Sequence, residues 1–162
     1  MYKRQDNPVT NSINAGCYVF SPEVIDQIPL GKVISVERET FPALVESGRP
    51  VFGYKEQSYW LDVGTPAALF KGSRDLIEGE FQAMPGTTIA PSAVITGGTS
   101  IGAGSTIAAG VILEDCIIGD GVTIGAGAHL THCFIAHGTE IAPGTIKRGH
   151  YLSKKLDLPI SL

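Results

Sequence analysis

The chain has 162 residues, 43% of them hydrophobic, and a formal net charge of −4. This is enough apolar material to bury a core, while the mildly acidic balance and scattered Lys and Arg, with no basic run interleaved with aromatics, argue against a nucleic-acid or anionic-membrane surface. No apolar stretch reaches the roughly 18 residues of a membrane span and no signal-peptide pattern is present, so the cytoplasm is the expected location. Cys17, Cys116 and Cys133 are odd in number, lack CxxC spacing and sit among apolar neighbours, so all three are expected as reduced, buried thiols.

Residues 1–5, MYKRQ, match the translation of GTG TAT AAG AGA CAG, the end of a common transposon-library adapter. They are read as a non-native artefact, with Asp6 the first genuine residue. INAGCYVF at 13–20 is rich in strand formers and is expected as a strand. A short helix should follow, capped by Ser21 with Pro22 in its first turn. Ser35 opens a second helical segment, SVERETFPALVESG, which Pro42 should kink or restart and Gly48 should end in a left-handed conformation. Residues 51–54 and 58–61 read as strands around a KEQ turn, with Trp60 expected in the core. In YWLDVGTP, Thr65 caps and Pro66 begins a helix to about Glu78, with Leu69, Phe70, Leu76 and Ile77 on its buried side.

Composition changes near residue 85. Ile89, Ile95, Ile101, Ile107, Leu113, Ile118, Ile124, Leu130, Ile135 and Ile141 recur every six residues, with five-residue steps after Leu113 and Leu130. Between them lie Gly, Ala, Pro, Ser and Thr. A helix cannot hold this pattern, because six is not a multiple of 3.6 and so much Gly costs about 1 kcal/mol per residue relative to Ala. Short strands joined by tight corners can, forming a triangular prism with stacked aliphatic residues inside, about three turns over 89–146. The pattern resembles the hexapeptide-repeat left-handed parallel β-helix, whose handedness is an expectation of the resemblance alone.

A second resemblance covers residues 13–77. INAGCYVFSPEV, SVERETFPAL and YWLDVGTP with its following helix resemble the C-terminal part of the catalytic domain of sugar-phosphate nucleotidyltransferases, and most of all the mannose-1-phosphate guanylyltransferase type. Members of that family carry a hexapeptide β-helix after the catalytic domain. The expected organisation is therefore an α/β, Rossmann-like remnant of a nucleotidyltransferase domain at 6–84, an all-β left-handed β-helix at 85–146 and a tail at 147–162.

The resemblance implies transfer of a nucleoside monophosphate from an NTP to a sugar 1-phosphate, with release of pyrophosphate and with Mg²⁺ as cofactor. GTP and mannose 1-phosphate are favoured, while glucose 1-phosphate with dTTP or UTP stays open. Asp62 matches the family's metal-holding, catalytic aspartate, and a hard carboxylate at a strand-to-helix turn suits Mg²⁺ beside phosphate. Its ordinary alternative is to cap the helix. Asn14 matches a sugar-contacting asparagine, and Gly16 lets sugar and backbone approach closely. Either Glu37 or Glu39 is expected to accept a sugar hydroxyl, with Glu37 preferred.

The Gly-rich triphosphate loop, the base-reading residues and the first metal-binding aspartate of the family's pattern are not found in this sequence, so the chain alone is expected to be inactive. Two other classes remain in view. His129, His132 and His137 raise a zinc enzyme resembling γ-class carbonic anhydrase, beside a hexapeptide acyltransferase. The β-helix could instead be a noncatalytic assembly or regulatory arm, with homo-oligomer contacts through its flat faces.

Overall fold

The computed structural model describes residues 10–160, so the artefact reading of residues 1–5 lies outside it. The chain forms two compact units, Met1–Trp60 and Leu61–Leu162.

Among its described residues the first unit is helical. Pro22 opens α1 (Pro22–Ile25) with Ser21 before it in extended conformation. A single π-helical turn (Val36–Thr40) runs directly into α2 (Phe41–Glu46), and Pro42 restarts the helix where its ring cannot continue the earlier ladder. Gly48 ends this segment at φ 73°, in the left-handed region that glycine occupies at no steric cost.

The strands expected at 13–20, 51–54 and 58–61 do not form. A strand's backbone groups need a neighbouring strand, and none of the described residues in this unit supplies one. Val19, Phe52 and Tyr54 are accordingly exposed, and Trp60 is 47% exposed and not part of a core. Cys17 is also exposed, which corrects the expectation of three buried thiols.

The second unit is a parallel β-solenoid with a helix packed on it. Twelve strands wind through three sheets: β1 (Gln82–Ala83), β2 (Thr88–Ile89) and β3 (Val94–Thr96) make the first turn, β4 (Ser100–Ile101), β5 (Thr106–Ile107) and β6 (Ile112–Glu114) the second. The third turn is β7 (Ile117–Ile118), β8 (Thr123–Ile124) and β9 (His129–Thr131), and the fourth β10 (Phe134–Ile135), β11 (Glu140–Ile141) and β12 (Ile146–Arg148). β13 (His150–Leu152) then pairs parallel to β10, and β14 (Asp157–Pro159) returns antiparallel to β13. The solenoid thus starts before residue 85 and continues past 146, giving four turns where the spacing suggested about three.

The six-residue period works because each strand puts one aliphatic residue inward and the chain turns before the next. Ile101, Ile107, Leu113, Ile124, Leu130 and Ile135 are each at most 1% exposed and form one continuous core. Full burial of each contributes about 1.5–3 kcal/mol. Ile89 and Ile95 are only partly buried, since the first turn has a neighbour on one side only. Cys116 and Cys133 are both 0% exposed in this core, with their thiols donating to backbone carbonyls, and the neighbouring Cys133 side chain together with burial pushes the Cys116 thiol well up.

The helix α3 (Pro66–Ile77) starts as its sequence requires, with the Thr65 hydroxyl accepting from the Ala68 amide at 3.1 Å. Phe70 packs with Ile117 and Ile160, flanked by Ala67, Ile77, Phe134 and Tyr151, so α3, with Ile160 just past β14, packs on one solenoid face. Leu76 is 80% exposed, contrary to expectation, because it lies about 120° around the helix from Phe70.

Candidate functional site

Three residues singled out in the first unit come together. The Asn14 amide donates from Nδ2 to Glu37 Oε1 at 2.9 Å and to the Tyr18 hydroxyl at 2.7 Å. Its Oδ1 accepts from the Gly16 amide at 2.9 Å, an Asx turn that needs Gly16 at φ 75°. Tyr18 closes the ring by donating to Glu37 Oε1 at 3.1 Å.

Aromatic packing holds this polar cluster in place. The Tyr18 ring meets Phe41 edge-on at 5.0 Å, and Phe20 lies 5.8 Å from the same Phe41. The bend at Gly16 brings Asn14 and Tyr18 to the same carboxylate oxygen of Glu37. Glu37 joins them from the π-helical turn, where Ser35 Oγ accepts from the Arg38 amide. Glu39, the other candidate, accepts instead from the Ser35 amide at 3.0 Å and so serves the turn itself. Tyr18 escaped the sequence reading, because only the fold sets its hydroxyl between Asn14 and Glu37.

Asp62 belongs to the second unit, three residues before the helix cap Thr65, and is exposed. It makes no hydrogen bond among the described residues, so it is not the helix cap; Thr65 has that role. The neighbouring Gly64 leaves one side of the carboxylate to solvent, since even a Cβ there would stand 3.8 Å from Oδ1. Mg²⁺ in nucleotide sites is commonly held by one or two carboxylates with waters and phosphate oxygens, so Asp62 fits as one such ligand. Among the described residues no three His, Cys, Asp or Glu are grouped to hold a metal by themselves.

The histidines do not form a common centre. His129 points outward from β9, His132 lies 3.4 Å from Asp115 Oδ2 beside Phe70, and His137 Nδ1 accepts from the Asp120 amide at 2.8 Å. The three lie at different corners or faces of the solenoid.

Residues 3–79 match the nucleotidyl transferase family. A mannose-1-phosphate guanylyltransferase of Mycobacterium tuberculosis is 41% identical over 128 residues, covering 71% of this chain and 36% of that protein. A mannose-1-phosphate guanyltransferase of Kluyveromyces lactis is 48% identical over 65 residues, 40% of this chain and 18% of that protein. The mannose-1-phosphate guanylyltransferase catalytic subunit beta of Xenopus tropicalis is 42% identical over 64 residues, 40% of this chain and 17% of that protein.

The chain therefore carries part of a nucleotidyl transferase domain, followed by a parallel β-solenoid. Among sugar-phosphate nucleotidyltransferases, it is related to mannose-1-phosphate guanylyltransferase. It spans about a third of the length of the Mycobacterium tuberculosis relative. No helix among the described residues is long and apolar enough to cross a membrane.

Proposed function

We propose that the full-length protein transfers a guanylyl group from GTP to mannose 1-phosphate, giving GDP-mannose and pyrophosphate in the cytoplasm. The observation that carries this reading is the hydrogen bond between Asn14 and Glu37, which joins positions 23 residues apart within the segment that matches the nucleotidyl transferase family.

The chemistry places its demands on position and charge. A phosphate oxygen of the sugar phosphate attacks the α-phosphorus in line, and a new P–O bond forms as the bond to pyrophosphate breaks. Asn14, Gly16 and Glu37 form the sugar side. Glu37 Oε1 is already engaged by Asn14 and Tyr18, which fixes the carboxylate and leaves Oε2 to accept a sugar hydroxyl. Asn14 spends its Nδ2 hydrogens on Tyr18 and Glu37 and so positions the carboxylate, and Gly16 keeps the approach free of a side chain. Asp62 would hold Mg²⁺, which supplies charge neutralisation at the phosphates when bound.

On this reading the chain holds the sugar side and one metal ligand, and productive NTP binding needs the rest of the length seen in its relatives. The exposed Val19, Phe52 and Tyr54 fit a surface that the remaining catalytic domain covers. Pyrophosphate release by the full-length protein should be measured over a panel of NTPs and sugar 1-phosphates. GTP with mannose 1-phosphate should be turned over fastest, and an absence of turnover with every pair rejects the enzyme reading.

A further inference from the structure

Each turn of the solenoid hands hydrogen bonds to the next. The Thr106 and Ala108 amides of the second turn donate to the Val122 and Ile124 carbonyls, and the Thr123 and Gly125 amides of the third donate to the Thr139 and Ile141 carbonyls. At the corner before β5, Ser105 Oγ donates to the Gly119 carbonyl at 3.0 Å and accepts from the Val122 amide at 3.1 Å, both one turn on. The strand register places Thr139 at this same corner of the fourth turn.

No following turn receives these bonds. β11 is the last strand of its sheet, so the Glu140 and Ala142 amides have no acceptor carbonyl among the described residues. Thr139 is 3% exposed and its hydroxyl has no partner among them, a state that costs a buried polar group about 1–3 kcal/mol. The chain itself turns away here, with the Ser153 amide donating to the Leu156 carbonyl and β14 returning antiparallel along β13.

This leaves a cavity of about 310 Å³ whose lining includes Thr139, Ile141, Leu152, Lys155 and Leu156. Of its charged groups, Lys147 and Asp157 pair with each other, and Glu140 stands on the outer side of β11. The Lys155 ammonium is left without a carboxylate among the described residues. Amides two residues apart on a strand edge match the carbonyl spacing of an extended peptide, the hydroxyl matches the peptide N–H that Ser105 receives, and the lone ammonium selects negative charge.

We propose that this end of the solenoid binds an extended, acidic peptide segment of a partner protein. The segment adds a fifth strand beside β11, with its carbonyls on the Glu140 and Ala142 amides, an N–H on the Thr139 hydroxyl and an aliphatic side chain over Ile141.

A synthetic peptide of residues 120–128, DGVTIGAGA, is a suitable probe, because this stretch makes the same contacts with Ser105 and β5 inside the chain. It is titrated into the ¹⁵N-labelled chain and followed by NMR, with thermal melts to show that each variant is folded. Saturable shifts should centre on the Glu140 and Ala142 amides. T139V in the chain, or V122P in the peptide, which removes the N–H, should each raise Kd at least about fivefold. D120N in the peptide should raise it about twofold. Absence of binding, shifts that miss Glu140 and Ala142, or T139V, V122P and D120N affinities equal to that of the unaltered pair would overturn the proposal. So would a dimer of the chain alone that T139V disperses, since a second copy would then close this end.

Discussion

Asp115 and His132 occupy the same corner of successive solenoid turns, both in the left-handed region at φ 51° and 52°, with Asp115 Oδ2 3.4 Å from His132 Nε2. The corresponding corners of the first and last turns hold Gly97 and Gly149, both at φ 63°. Two non-glycine residues therefore accept a backbone penalty of about 1–2 kcal/mol each. At Asp115 the return is visible: Oδ1 accepts from Arg74 of α3 at 2.6 Å and from the Gly98 amide at 2.9 Å, so one carboxylate ties helix to solenoid.

Asp115→Ala keeps the left-handed strain and removes these bonds, leaving Arg74 and the Gly98 amide without their acceptor. It should destabilise the second unit by about 2–3 kcal/mol in denaturant unfolding. Asp115→Gly loses the same bonds but relieves the backbone, and should be about 1 kcal/mol less harmful than the alanine variant. Equal losses in the two variants would mean that the corner conformation carries no strain.

The core makes a sharper contrast. Leu130→Ala removes a fully buried side chain between packed turns and should cost about 2–5 kcal/mol. Leu76→Ala, at an 80% exposed helix position, should change stability by no more than about 0.5 kcal/mol. The same unfolding measurement checks both.

The C-terminal hairpin should respond to acid. Asp157 bonds Lys147 at 2.6 Å and His150 at 2.5 Å, and these bonds, Lys147 first, hold its carboxyl below the usual carboxylate range. With the native pKa below that of the unfolded chain, the stabilisation is fully present above the ordinary aspartate value of about 4 and disappears as pH falls through the native pKa. Hydrogen exchange at β13 and β14 should show protection lost in that acidic window. Asp157→Asn should remove the pH dependence.

Thiol accessibility offers an independent check on the solenoid core. Cys17 is exposed, while Cys116 and Cys133 are fully buried. A thiol reagent should modify one cysteine quickly in the native chain and the other two only on unfolding. Three fast thiols would contradict the packing described here.

The solenoid was legible in the sequence because its period is local: Ile101 or Leu130 is buried by strands that obey the same spacing one turn away. The five-residue steps after Leu113 and Leu130 contain Asp115 and His132, but what Asp115 does at its corner depends on Arg74, 41 positions distant in the chain. Residues 13–20 misled for the opposite reason. Their strand propensity is real, but a strand forms only beside a partner, and the described residues of that unit supply none. Leu76 misled because hydrophobicity was allowed to outweigh helical phase. At the candidate site, Asn14, Gly16 and Glu37 were found by their likeness to a family, whereas Tyr18 needed the structure to show its hydroxyl between two of them.

The most direct test of the proposed sugar side is steady-state kinetics of Glu37→Gln in the full-length protein, with mannose 1-phosphate and GTP varied separately. Replacing the carboxylate by an amide weakens a hydrogen bond to a charged acceptor, so the KM for mannose 1-phosphate should rise about 10–100-fold while the KM for GTP stays within about twofold of wild type. An unchanged KM for the sugar phosphate, or an equal rise for both substrates, would contradict the assignment.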